Sequence, residues 1–149
     1  MRKLLISRCL LGDACRYDGK SKPLPAETLQ ALRAQYELIP VCPEVLGGLP
    51  TPRTPSERQG SRVVMKTGAD VTAEYRRGAE IALRLAQEHQ VCAAVLKERS
   101  PSCGKGIIYD GTFTGTLTNG NGVTAEVLMD AGFAVYGESE IAKLIKSGE

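Results

Sequence analysis

The sequence predicts an α/β fold in one domain: a mainly parallel sheet with flanking helices in a Rossmann-like three-layer arrangement. Three observations predict it. Apolar runs of strand length alternate with stretches of helical spacing, the pattern of βα units on a parallel sheet. Three of the runs lead directly into an irregular, Gly- or Pro-bearing stretch that holds a cysteine, and ligands of open α/β sheets bind at the carboxyl ends of strands. The length of 149 residues suits a single domain, 1–149, with a real core, and no repeat, low-complexity tract or linker divides it.

Residues 3–7 read as a first buried strand, and 8–19 as a loop rich in glycine and charge. Over 24–35, Leu24, Thr28, Ala31 and Leu32 share one helical face. A short strand follows at 37–41. The stretch 43–60 carries Pro43, Pro50, Pro52, Pro55 and Gly47-Gly48; it predicts a long irregular loop, and loops of that length tend to be functional. Residues 62–66 are a short strand or hairpin arm. The clearest helix covers 72–89. There Val71, Tyr75, Gly78, Ala79, Ala82 and Ala86 form one stripe, with Glu74, Arg77, Glu80, Arg84 and Glu88 opposite. The small stripe suits close packing on a sheet, and Asp70 or Thr72 can cap the start. A buried strand at 91–96 leads into the most distinctive loop, Lys97 to Gly106. Residues 107–117, with Asp110-Gly111 inside, resemble a hairpin. A helix at 123–131 ends at Gly132, a strand covers 133–136, and 138–146 is a terminal helix with acid first and lysine last, as the macrodipole favours.

Composition narrows the function classes. The chain is 42% hydrophobic and 24% charged with a formal charge of +2, which predicts no strong attraction to nucleic acid or to a membrane surface. Two Phe and five Tyr leave little material for base-stacking platforms. Arg8 interrupts the N-terminal apolar run, no small-residue cleavage site follows it, and no segment is long enough to span a bilayer. These features predict a cytoplasmic protein. In that compartment five cysteines, an odd number, are free thiols and not a disulfide framework.

Cys9 follows the first strand, Cys42 the second, and Cys103 lies in the loop after the strand at 91–96. In a parallel sheet those strand ends lie along one edge, so the three thiols can converge despite their wide spacing. A closed zinc site wants four ligands, usually with C-x-x-C pairs, and the chain has none. The one histidine, His89, ends a helix and reads as solvated. Iron–sulfur clusters are held by thiolates. Three thiolates on four irons leave one iron open, a Lewis acid soft enough to receive sulfur. Cys92 sits inside an apolar strand and reads as a small hydrophobe. Cys15 stays open, as a fourth ligand or a redox-sensitive bystander. In the third loop Pro101 biases Ser100 away from helix, and Gly104 and Gly106 permit unusual backbone.

Cys9-Leu10-Leu11-Gly12, Arg16-Tyr17-Asp18-Gly19, Cys42-Pro43-Glu44-Val45-Leu46-Gly47-Gly48-Leu49-Pro50-Thr51-Pro52-Arg53, Gly68-Ala69-Asp70-Val71-Thr72 and Ser100-Pro101-Ser102-Cys103-Gly104 together resemble the bacterial thiouracil desulfidase family, formerly a domain of unknown function. The resemblance runs from Ser7 to about Gly132 with no departure at the motif positions. It implies that Cys9, Cys42 and Cys103 hold a 4Fe-4S cluster with one open iron. It further implies that this iron takes the sulfur of a thiolated pyrimidine, with C=S becoming C=O, sulfide released and no net redox change. An acidic residue and a serine near the cluster fall on Glu44 and Ser100 as the catalytic pair. Read alone, Glu44 is an exposed loop acid and Ser100 a turn-former bonding local backbone. Arg53, Lys97, Ser102 and Asn121 are candidates for orienting the substrate. The substrate expected is a small thiolated base or nucleoside; no extra basic domain is present to grip a nucleic acid.

A reading from another class rests on Gly120-Asn121-Gly122-Val123-Thr124-Ala125, which fits G-x-G-x-x-G/A with Glu138 and Glu140 further on. It predicts a dinucleotide- or phosphate-binding module, with an anion on a helix N-terminus. The hexad lies at the wrong end of the chain for a first βαβ unit, and it reads equally as a tight turn into a helix.

Overall fold

A computed structural model describes residues 1–145. Four parallel strands form the sheet: β1 (Arg2–Ser7), β2 (Tyr36–Val41), β5 (Ala93–Leu96) and β8 (Ala134–Gly137), in the order β2-β1-β5-β8. β1 lies between β2 and β5, with Leu4 to Ile6 registered against Leu38 to Pro40 on one side and Ala93 to Val95 on the other. Pro40 cannot donate to a ladder, and it sits on the edge strand where that costs least.

Every residue of β5, and Leu4 to Ser7 of β1, is buried. That burial explains why both read as unbroken apolar runs: helices cover both faces of the sheet. Leu4, Ile6, Ala93 and Val95 face a layer with Leu32 of α1 (Ala26–Gln35) and the C-terminal Ile141 and Leu144. Leu5, Ala94 and Leu96 face Ala82 and Ala86 of α3 (Thr72–Glu88) and Ala125 and Leu128 of α4 (Val123–Asp130). The α3 stripe is buried as its spacing predicts. The three layers of the expected α/β fold are therefore present.

Local departures have local causes. α1 begins at Ala26, because Pro25 precedes it in extended backbone and Leu24 instead donates its N–H to Leu10. The stretch expected to be one irregular loop contains a helical turn, α2 (Pro43–Leu46), whose proline occupies the first turn where no N–H is missed. It also contains β3 (Ser56–Gln59), which pairs antiparallel with β4 (Arg62–Met65). Residues 8–11 form a 3-10 turn closed by Gly12 at φ 104°. The hairpin at β6 (Ile107–Tyr109) and β7 (Leu117–Asn119) is joined by the loop 110–116 and not by a two-residue turn at Asp110-Gly111. Asp110 spends its carboxylate on the N–H and hydroxyl of Thr112 and so starts a wider loop. The expected terminal α-helix is a 3-10 segment over Glu138–Lys143. Three residues per turn put Ile141 and Leu144 on one buried face; Lys146 lies outside the described residues.

Candidate active site

β1 and β5 are neighbours, but the chain leaves them for opposite sides of the sheet. The crevice of a doubly wound fold opens at the carboxyl ends of such a pair. Here a cavity of about 590 Å³ lies at those ends, lined by Cys9, Cys15, Cys42, Cys103, Glu44, Arg53, Lys97 and Ser100 among others. Its floor is stitched across the switch point by the Lys97 N–H, which donates to the buried Ser7 hydroxyl at 2.9 Å.

Four thiols therefore meet where three were expected. Cys9 enters from the 3-10 turn after β1, Cys42 from the end of β2, and Cys103 from the loop after β5. Cys15 is also buried in the cavity wall, and the Cys42 thiol donates to its carbonyl at 3.8 Å. Donating to the Cys15 side chain, and then burial, hold the Cys42 thiol far above its usual range. Burial, followed by the charge of Glu44, pushes Cys103 up to about 12. The Cys42 and Cys103 thiols are thus protonated at neutral pH, and a metal bound by them would have to displace those protons. Among the described residues no three His, Cys, Asp or Glu side chains are gathered closely enough to hold a single metal ion. Thiolates on one tetrahedral zinc, each about 2.3 Å from it, need that close gathering. Buried thiols around one cavity are the ligand type that holds iron–sulfur clusters. Cys92 and His89 do not line the cavity.

Glu44 sits in the first turn of α2, and α2 is seated directly on the α3 backbone. A Cβ on Gly78 would collide with the Pro43 carbonyl, and one on Gly47 with the Glu74 carbonyl. This close approach brings the Tyr75 hydroxyl to 3.1 Å from Glu44 Oε2. Arg53 donates to the same oxygen from Nε at 3.1 Å and Nη2 at 2.8 Å. Glu44 Oε2 thus takes three donors, whereas among the described residues Oε1 accepts only the Ser100 hydroxyl, at 3.4 Å. The Ser100 oxygen in turn accepts the N–H groups of Ser102 and Cys103, each at 3.1 Å. With both acceptor sites used, what Ser100 has left to offer is its proton.

Arg53 lines the cavity, but its N–H groups are directed at acceptors of the protein. Its Nη2 also reaches the Cys15 carbonyl at 3.1 Å, and its Nη1 the Pro50 carbonyl at 3.0 Å and Thr51 Oγ1 at 3.1 Å. All of the roughly five N–H donors of a guanidinium are therefore spoken for, and the side chain is 3% exposed. Burial opposes its charge, but Glu44 outweighs burial and holds its pKa above the usual value. Lys97 lines the cavity with its ammonium on Glu138 at 2.8 Å. Ser102 and Asn121 do not line it. Ser102 is fully buried against Thr124, and Asn121 Oδ1 accepts the Gly106 N–H at 2.7 Å. Tyr75 is the participant the sequence reading missed, because it fits the apolar stripe of α3. Its signal was present: a phenol in a stripe of Ala and Gly needs a buried hydrogen-bond partner.

The dinucleotide reading fails at the start of α4. The N–H groups of Gly122, Val123, Thr124 and Ala125 donate to the carbonyls of Gly104, Pro101, Ser102 and again Ser102, at 2.7, 2.9, 2.8 and 3.2 Å. A helix N-terminus binds phosphate through unpaired N–H groups, and this one has spent them on the Cys103 loop. Gly122 is a glycine because a Cβ there would strike the Ser102 carbonyl.

Among the described residues no helix is long and apolar enough to cross a membrane. Comparison with known proteins agrees with the fold and the cavity. The chain is 40% identical over 152 residues to the uncharacterized protein YbbK of Bacillus subtilis (strain 168), covering 95% of this chain and 99% of that one. Its structure superposes with a TM-score of 0.93 and 49% identity on the 4Fe-4S-dependent thiouracil desulfidase TudS, covering 97% of this chain and 95% of that one. The 2-thiouracil desulfurase family model matches residues 4–140, from the first core strand through the last, and by that match the chain belongs to the 2-thiouracil desulfurase family of enzymes.

Proposed function

We propose that this chain is an iron–sulfur-dependent thiouracil desulfidase that exchanges the sulfur of a thiolated pyrimidine for oxygen without net redox change. One observation carries the proposal: Cys9, Cys42 and Cys103 line the same cavity as Glu44 and Ser100. The donor set fits a 4Fe-4S cluster, with three buried thiols from three strand ends and one iron left without a protein ligand. Bound there, the cluster supplies a soft Lewis acid for the thione sulfur.

The protein's own residues supply the rest. Glu44 Oε1, the carboxylate oxygen with lone pairs to spare, takes a proton from water. The water oxygen bonds to the ring carbon, and Glu44 passes the proton it took to the departing sulfur. The C–S bond breaks to release hydrosulfide, and the second water proton is lost to solvent as C=O forms. The carbon keeps its oxidation state, so no electron donor is consumed. Arg53 and Tyr75 hold the carboxylate with Oε1 toward the cavity. Ser100 donates a hydrogen bond to Glu44 Oε1 and can turn the same O–H to the substrate. The substrate class is a small thiolated base or nucleoside, which fits a cavity of about 590 Å³.

The test is anaerobic reconstitution with iron and sulfide, followed by loss of the 4-thiouracil thione absorbance. About four irons per chain are expected, with uracil and sulfide formed in equal amounts and no reductant added. Cys9→Ser, Cys42→Ser and Cys103→Ser should each lose most of the iron, and Cys92→Ser should keep it. Cys15→Ser with full iron supports the three-ligand set, and loss of iron would make Cys15 a ligand. Glu44→Gln should keep its iron and slow turnover by ~10²–10⁴-fold. Full turnover by Glu44→Gln would remove the general base, and loaded protein inert toward every thiolated pyrimidine would remove the substrate class.

A further inference from the structure

The Gly120–Ala125 hexad has no part in the proposed chemistry, yet its donors and its missing side chain are all committed to the Cys103 loop. We propose that the start of α4 is a clasp for that loop, with Gly122, Thr124 and Ser102 as positioning residues that keep the Cys103 thiol on the cluster. This inference rests on the reading of Cys103 as a ligand.

A loop with two glycines and a residue at positive φ, Arg99 at 68°, adopts backbone that needs support from outside itself. The clasp supplies it. Four consecutive N–H groups, Gly122 to Ala125, hold carbonyls between Pro101 and Gly104; below them the Gly120 N–H holds Gly106 at 3.0 Å. Asn121 closes the same ring by accepting the Gly106 N–H. The cysteine thus lies inside a segment fixed on either side of it. Donors at a helix N-terminus also carry the positive end of the helix dipole, so the segment that must present a thiolate is seated on the favourable end of α4.

The side chains complete the link to sulfur. Ser102 and Thr124 are both fully buried, and their hydroxyls stand 2.9 Å apart. Ser102 immediately precedes Cys103, and its carbonyl accepts the Thr124 and Ala125 N–H groups while its hydroxyl meets Thr124, so both ends of the residue are fixed by α4. Thr124 therefore fixes the residue from which the cysteine backbone continues, the relation by which outer groups position metal ligands. Gly122 permits the approach, since any side chain there would push the Ser102 carbonyl and the Cys103 N–H away.

Thr124→Val keeps the shape and removes the hydroxyl; Thr124→Ser restores it; Gly122→Ala pushes on the loop backbone. The readouts on the anaerobically reconstituted full chain are iron release to a ferrous chelator, the electron paramagnetic resonance spectrum of the reduced cluster, and far-ultraviolet circular dichroism of the metal-free form. Thr124→Val should release iron roughly ten- to hundred-fold faster than wild type, with an altered resonance spectrum and unchanged circular dichroism. Thr124→Ser should restore both the rate and the spectrum. Gly122→Ala should release iron at least as fast as Thr124→Val; if it does not fold, the two Thr124 variants decide alone. Wild-type release and spectrum in Thr124→Val would overturn the clasp. Wild-type chain that takes up no iron and sulfide would overturn the ligand reading first. A loaded wild type that leaves thiouracil untouched, with iron release still set by Thr124, would overturn the substrate reading and support the clasp.

Discussion

The two oxygens of Glu44 are made unequal by their neighbours. Three donors crowd Oε2, and Tyr75, 2% exposed, is one of them. Its phenol is held far above the usual range by burial and then by the charge of Glu44, so it remains a donor at any working pH. Tyr75→Phe removes that donor and little volume. Turnover is expected to fall about tenfold, the worth of one hydrogen bond to a charged group, with KM and iron content near wild type. A rise in KM with unchanged kcat would instead put Tyr75 on the substrate. The Cys103 thiol makes a prediction for the metal-free chain. Its folded pKa of about 12 lies above the ordinary value of 9.0, so its contribution to stability is complete below pH 9 and is lost as pH rises toward 12. Urea midpoints of metal-free protein should fall more steeply between pH 8.5 and pH 11 for wild type than for Cys103→Ser. Equal slopes would show that the thiol is not held protonated by the fold.

At the scale of elements, glycines decide where α2 and α4 can sit. α2 is one turn long, too short to be stable alone, and it is held by the contact of Pro43 and Gly47 with the backbone of α3 at Glu74 and Gly78. Cys42 and Glu44 flank Pro43, so this contact sets the position of a thiol and a carboxylate together. Gly78→Ala lies inside a helix, where propensity alone would favour alanine. The collision with Pro43 should reverse that sign. The variant should lose ~1–3 kcal/mol, the usual cost of overpacking, and hold less iron than wild type. A melting temperature above wild type with full iron content would mean that α2 can shift without consequence.

For the molecule as a whole, the site depends on the sheet keeping β1 between β2 and β5, because each of these strands ends at one of the three proposed thiol ligands. Leu5 is fully buried at the centre of this arrangement and packs toward α3 and α4. Leu5→Ala should cost about 2–5 kcal/mol in urea unfolding, with iron affinity following stability as the strand ends loosen. A loss below about 1 kcal/mol would mean that the core closes around the gap, at the mild end of what such truncations do.

Some of this was legible in one dimension. The run expected as a strand at 91–96, of which Ala93–Leu96 is one, is continuously apolar and the α3 stripe is periodic, and both are local properties that survive without knowledge of the fold. Cysteines placed just past strand ends pointed to one edge, because parallel strands share a direction. The motifs from Cys9 to Gly104 carried the family. Other features depend on contacts between residues far apart in sequence. Arg53 reads as a free cation until Glu44, Cys15, Pro50 and Thr51 are seen to take its N–H groups. The Gly120 hexad reads as a phosphate loop until the carbonyls of Pro101 to Gly104 fill its donors. Tyr75 reads as core until α2 is placed on α3. The sequence determined which residues are candidates for chemistry and the sheet edge at which they gather. Only the tertiary structure decided which of their donors and acceptors are already satisfied, since hydrogen-bond capacity is spent in pairs and the second member of each pair lies elsewhere in the chain.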